Sequence, residues 1–285
     1  FYWLNRGKEF AKGWLPTMAW LSEPLDGFFN GPPQCNAFFS PSADAVRFFQ
    51  SEGGWRNSGE VPGVILHELG HGIDTNDGNG RAPEQGTRES NGDITAALAL
   101  HSSCPATGFH AGLCDGYGNP CTSCTGSRDI DWGRHTAGVA DTVANFTQPF
   151  CDDEGSRGPC GREGHCESLI PSEAVWDFVN RDYPEPDSPA AWNVMERLWF
   201  LSRPTATRSF TCNTNGSTFT SNGCNSGSLW RVMRVTDDDD GNLANGTPHG
   251  GALFAAFHRH RIACATDAGA RATFAACTPP PTPLI

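Results

Sequence analysis

Two histidines four residues apart, with a glutamate directly after the first, close an apolar run: Val61-Pro62-Gly63-Val64-Ile65-Leu66-His67-Glu68-Leu69-Gly70-His71. On a helix, positions i and i+4 lie one above the other, so the two imidazoles can share one metal ion. Glu68 is turned roughly 100° around that helix and reaches a metal-bound water without binding the metal. Zinc lowers the pKa of such a water, and a neighbouring carboxylate takes its proton as the hydroxide attacks a carbonyl. The spacing therefore predicts a zinc hydrolase, with His67 and His71 as ligands and Glu68 as general base.

Two residues downstream are candidates for the third ligand. Asp77 follows His71 by six positions, a route that needs a sharp turn three residues after the second histidine. Glycine normally supplies that turn through its freedom at positive φ, and Asp74 stands there. Glu89 opens an Ala- and Leu-rich segment, Arg88 to Leu100, which reads as a second helix with its acids in the first turn. Glu89 and Asp93 share one face of it. Glu89 can complete a His₂Glu set, and Asp93 can accept a hydrogen bond from the free N–H of a ligand histidine and so fix its tautomer. The reading favours Glu89.

Taken in order with three further segments, these residues resemble the thermolysin-type zinc metallopeptidases, and among them the fungalysin family. Phe1-Tyr2-Trp3-Leu4-Asn5-Arg6 is similar to the helix that opens the fungalysin catalytic domain, and Asn36-Ala37-Phe38-Phe39 to the edge-strand motif that precedes the active-site helix. His67 to Gly72 is similar to the H-E-x-G-H-G form, and Glu89-Ser90-Asn91-Gly92-Asp93 to the E-x-x-S/G-D helix. His165, followed eleven residues later by Trp176-Asp177, is similar to a further family stretch. The resemblance runs from residue 1 to about residue 180.

It implies an α+β fold of two lobes: a small β-rich N-terminal lobe over 1–78, including the active-site helix, and a mainly helical C-terminal lobe over 79–285. It implies a secreted zinc endopeptidase, with Zn²⁺ held by His67, His71 and Glu89. Glu68 would act as base and then as proton donor to the leaving amine, and Asp93 would orient a ligand histidine. Asn36 and the backbone of Ala37 would hold a protein or peptide substrate in extended form, and His165 would donate to the oxyanion. His249 competes for that last role, but it lies 160 residues beyond Glu89 against 76 for His165, which is near the family spacing.

The sequence also departs from the pattern. Tyrosine, which often stands shortly before the ligand glutamate, is replaced by Asn79, Gly80, Arg81 and Ala82, and no tyrosine occurs between Tyr2 and Tyr117. The Cys- and Gly-rich stretch from about 102 to 164 is unlike the family and reads as an insertion that shapes or covers the cleft. The acidic run Asp237-Asp238-Asp239-Asp240-Gly241-Asn242 offers oxygen ligands to Ca²⁺. A solvated acidic loop is the plain alternative.

The elements that must position these groups follow from periodicity. Helices are expected over 1–15, 62–74, 89–102, 136–146, 172–183, 189–202 and 252–263, and short strands at 37–39 and 46–49. A polar loop or hairpin is expected over 209–228, and an extended Pro-rich tail over 278–283. The 285-residue chain is 18% charged and 38% apolar with net charge −12. That balance fits a folded protein and argues against nucleic acid or an anionic membrane as partner. No apolar run is long enough to span a bilayer. Twelve cysteines predict up to six disulfides and an oxidising, extracellular or cell-surface setting. A structural zinc site at Cys104, Cys114, Cys121 and Cys124 is the weaker reading, since a second C-x-x-C is missing. Two rival functions stand beside the peptidase: a non-catalytic structural or adhesive surface protein on the same fold, and a zinc enzyme acting on another amide or a peptidoglycan link.

Overall fold

The computed structural model describes residues 1–145, 151, 157–215 and 218–267. Their fold is mixed α+β, with seven α-helices, two small sheets and several disulfides. Helix α1 spans Tyr2–Trp14, and three short strands follow: β1 (Asp26–Gly31), β2 (Ala37–Ser40) and β3 (Ala45–Phe49). The sheet order is β1-β3-β2, with β1 parallel and β2 antiparallel to β3, so β2 is an edge strand.

Two helices then lie against each other: α2 (Pro62–Asn76) and α3 (Gln85–Leu100). Pro62 starts α2, where its missing N–H costs nothing. Most of α2 is buried, as its nearly continuous apolar run predicts. Two glycines set how closely α2 and α3 approach. A Cβ on Gly70 would stand 2.7 Å from the Asn91 carbonyl oxygen, and one on Gly92 would stand 2.5 Å from the His67 ring. Bare Cα atoms at these two positions bring the His67 imidazole onto α3.

The remaining elements are α4 (Gly164–Asp177), α5 (Pro189–Ser202), the hairpin β4 (Thr211–Asn215) and β5 (Thr218–Asn222), α6 (Leu229–Asp237) and α7 (Gly250–Arg259). One apolar core runs from Leu4 to Cys264, and the buried cysteines 104, 114, 121 and 124 form a small core of their own. The insertion is thus folded around sulfur: Cys104 pairs with Cys124 and Cys114 with Cys121, as disulfides rather than as a zinc site. Cys151–Cys166, Cys160–Cys212 and Cys224–Cys264 tie the insertion and the hairpin to the helices. Cys35 is exposed and pairs with none of the described cysteines. Cys277 and the Pro-rich stretch 278–283 lie outside the described residues. Among those described, no helix is long and apolar enough to cross a membrane.

Two expected elements are corrected. Residues 136–145 are irregular rather than helical; their backbone is taken up in turns such as the one in which Asn145 accepts from the Thr142 N–H at 2.6 Å. The helix expected from Ser172 starts eight residues earlier, at Gly164, and continues through Pro171. An interior proline costs a hydrogen bond, but the Glu163 side chain caps the start by accepting from Cys166 N at 2.8 Å. Burial of nearly every residue of α4 offsets the loss.

Candidate metal centre and cleft

Helix α2 presents His67 and His71 one turn apart, their rings 4.7 Å apart and perpendicular. Helix α3 brings Glu89 against both: its Oε2 lies 3.2 Å from His67 Nε2 and 3.9 Å from His71 Nε2. One donor atom from each residue falls within 4.8 Å of the others. Asp93, one turn after Glu89, has Oδ1 3.0 Å from His67 Nδ1. An ionised carboxylate only accepts, so Nδ1 carries a proton, and Nε2 faces Glu89 and His71. Asp93 is held in turn by a two-pronged contact from Arg128, whose Nε and Nη2 are each 2.8 Å from one oxygen, and by the Ser168 hydroxyl at 3.2 Å.

Charge in this cluster is strongly redistributed. Burial opposes a proton on His67, but the hydrogen bonds to Asp93 and Glu89 outweigh it and lift the ring to about 10. Burial pulls His71 down to about 3. Burial pushes Glu68 up to about 7, and one of its oxygens accepts the Phe39 N–H of β2. Glu68 is 4% exposed, and its Oε2 has no partner among the described residues. Burial works against the Glu89 carboxylate, yet His165 and His71 hold it well below its ordinary value. Two imidazole nitrogens and a carboxylate, with one histidine anchored from behind by an aspartate, form a donor set that fits zinc.

His165 arrives on the first turn of α4. Its Nε2 is 3.1 Å from Glu89 Oε2 and its Nδ1 is 2.6 Å from Glu163 Oε1. These carboxylates, Glu89 foremost, overcome burial and raise the ring to about 9. Asn36 and Ala37 line the same cleft, and the Ala37 N–H is taken by the Asn36 side chain at 2.8 Å. The cleft has a volume of about 460 Å³. Its apolar wall includes Phe38, Phe39, Val64, Phe109 and Trp55.

Other candidates are not brought here. His249 is buried against Asp237, with its Nδ1 2.7 Å from Oδ1 and its backbone N–H 2.7 Å from Oδ2, and it stacks on Tyr183. Asp77 faces Arg203 at 3.1 Å. In the acidic run, Asp237 is committed to His249 and the Asn242 carbonyl caps a turn at Ala244. Only Asp238, Asp239 and Asp240 converge, largely in solvent.

Sequence reading missed Arg128 and the role of Tyr117. Both come from the Cys-rich insertion and both line the cleft. Tyr117 is held in left-handed backbone conformation at φ 54°, uncommon for a side chain of this size. Its ring lies parallel to His165, centroids 6.3 Å apart. Neither position carries a spacing signal, because disulfide-tied loops deliver them across sequence gaps of tens of residues. Comparisons with protein-family models and with curated protein sequences found no match to this chain.

Proposed function

We propose that this chain is a zinc-dependent endopeptidase acting outside the cell on extended protein segments. The observation that carries the reading is a buried glutamate with a free carboxylate oxygen, set beside a His67–His71–Glu89 donor set in a cleft bordered by an edge strand. The ordered motifs that resemble those of the fungalysin branch of the thermolysin-type peptidases point the same way, as do disulfides that persist in an oxidising setting.

His67, His71 and Glu89 would hold the zinc, which when bound supplies Lewis acidity and an acidified water. Glu68, raised to about 7 by burial, is matched to both proton transfers near neutral pH. It takes the proton from the attacking water and returns it to the leaving amine nitrogen. Asp93 and Arg128 fix the ring of His67. His165 and Tyr117 stand beside the reacting carbonyl and offer donors to its oxygen as charge develops. β2 is the outer strand of its sheet, and an extended peptide backbone would pair with it in place of the Asn36 and Glu68 side chains that hold the Ala37 and Phe39 N–H groups.

The test is casein hydrolysis by the zinc-replete protein, with and without a zinc chelator, beside Glu68→Gln. The expected outcome is activity that the chelator abolishes, and a variant that retains zinc while turnover falls about 10²–10⁴-fold. A Glu68→Gln variant as active as the parent would sink the mechanism. A zinc-replete parent with no activity on any protein substrate would favour the non-catalytic reading.

A further inference from the structure

A second group of metal-ligating side chains lies outside the cleft. His135, Asp141 and Glu173 each place one donor atom within 4.8 Å of the others. They come from distant segments: His135 and Asp141 from the disulfide-tied insertion, Glu173 from α4, eight residues beyond His165 and so roughly 12 Å along the helix. Glu173 is fully buried and His135 is 3% exposed.

The hydrogen bonds around the group leave acceptors facing one another. Glu173 Oε2 accepts the Asp141 N–H at 2.9 Å and has His260 Nδ1 at 3.5 Å. Glu173 Oε1 has no partner among the described residues. His135 Nε2 lies 2.9 Å from the Asp129 carbonyl oxygen, which can only accept, so Nε2 carries the proton. That leaves His135 Nδ1 as a lone pair, and it too has no partner among the described residues. An imidazole with one N–H anchored on a carbonyl and its other nitrogen left without a partner is the usual arrangement of a histidine ready to bind a metal.

We infer that His135, Asp141 and Glu173 form a second zinc site, one that clamps the insertion to α4. An imidazole beside two carboxylates suits a borderline divalent cation such as zinc and does not suit calcium or magnesium, which take oxygen ligands. A small recess bounded by Gly116, Tyr117, Asp141 and Leu169 meets the group at Asp141 and has room for a water. Burial and the adjacent Asp141 carboxylate push Glu173 well above its ordinary value. The competing occupant is therefore a single proton shared between the two carboxyl groups, which leaves His135 Nδ1 unanswered where zinc answers all three donors.

The test is zinc content by mass spectrometry in the full chain, after exhaustive dialysis of zinc-loaded protein. His67→Ala/His71→Ala removes the cleft donors and leaves this group intact; it should retain about one zinc per chain, and adding Glu173→Gln should lower that to about none. A zinc-free His67→Ala/His71→Ala protein overturns the inference in favour of the shared proton. Should that variant fail to fold by circular dichroism, wild type against Glu173→Gln decides, and equal zinc content in the two overturns it. If the cleft itself takes no zinc, wild type and His67→Ala/His71→Ala both hold about one ion, so failure of the peptidase reading is visible separately.

Discussion

The cleft cluster and the His135 cluster use the same side-chain chemistry in opposite surroundings. His67, His71 and Glu89 line a cleft of about 460 Å³, beside an unpartnered Glu68 oxygen. His135, Asp141 and Glu173 are closed in between the insertion and α4, with only a small recess beside them. The further carboxylate near that group, Asp177, is committed to His260, Trp132 and Arg181, and Glu173 is itself one of the donors. Ligand chemistry therefore does not separate a catalytic centre from a structural one. Access for a substrate, and a base that is not itself a ligand, do.

One chemical change made at both places should give opposite results. Glu68→Gln removes a base and no ligand, so turnover of casein falls about 10²–10⁴-fold while zinc content is unchanged. Glu173→Gln removes a ligand and no base. It should release the second zinc and lower kcat/KM far less than Glu68→Gln does, since the clamp touches the cleft only through the insertion that carries Arg128 and Tyr117. Equal losses of turnover in the two variants would dissolve the distinction.

Glu167 sharpens the comparison, because it is a buried carboxylate answered by no metal donor set. Its oxygens accept the backbone N–H groups of Cys160 and Arg162, each at 2.7 Å. Burial outweighs them and holds the group up at about 7, against 4.5 for a free glutamate. A raised carboxyl favours the folded state only while it is protonated. Its contribution is present below pH 4.5, is lost as pH climbs through the folded value near 7, and is flat above that. The loss amounts to about 3 kcal/mol at most. Glu167→Gln has no proton to lose, so urea melts of the variant and wild type should converge or cross between pH 4.5 and 8. Curves that stay parallel would show that Glu167 is already ionised when buried.

The parts of the site carried by regular helices were legible in the sequence; the parts carried by the insertion were not. The four-residue spacing of His67 and His71 is a helical spacing, and so is that of Glu89 and Asp93, so each pair could be placed on one face before the fold was known. The strand at Ala37 and its place at a sheet edge were expected from the resemblance of Asn36-Ala37-Phe38-Phe39 to an edge-strand motif; the pairing of β1 with β3 that leaves β2 outermost is reported by no local pattern. Helix α4 was expected only from Ser172, where its apolar face is regular; the first eight residues, which run through Pro171, are held by the Glu163 cap and by tertiary burial, which periodicity does not report. Asp237 was read as one of the carboxylates of an acidic run that offers ligands to calcium, but its pairing with His249 removes it from that set. Arg128 lies in a Gly- and Ser-rich stretch with no periodicity, and two disulfides bring it to Asp93, 35 positions away.

Arg128 is also where the smallest effect is expected, and it tests whether the insertion belongs to the cleft or only borders it. The guanidinium meets both oxygens of Asp93 at 2.8 Å, and Asp93 fixes the His67 ring. Partners one step behind a metal ligand typically change metal affinity about 10–100-fold, which is about 1.4–2.7 kcal/mol. Arg128→Gln should weaken zinc binding at the cleft by that much in a chelator competition. Arg128→Lys keeps the charge but cannot grip both oxygens, so it should recover only part of the loss. Zinc held by the His135 cluster should not change in either variant. A general loss of stability, with cleft affinity unaltered, would make Arg128 a packing residue. Loss confined to the cleft, with partial recovery by lysine, would make the insertion part of the metal site's own support.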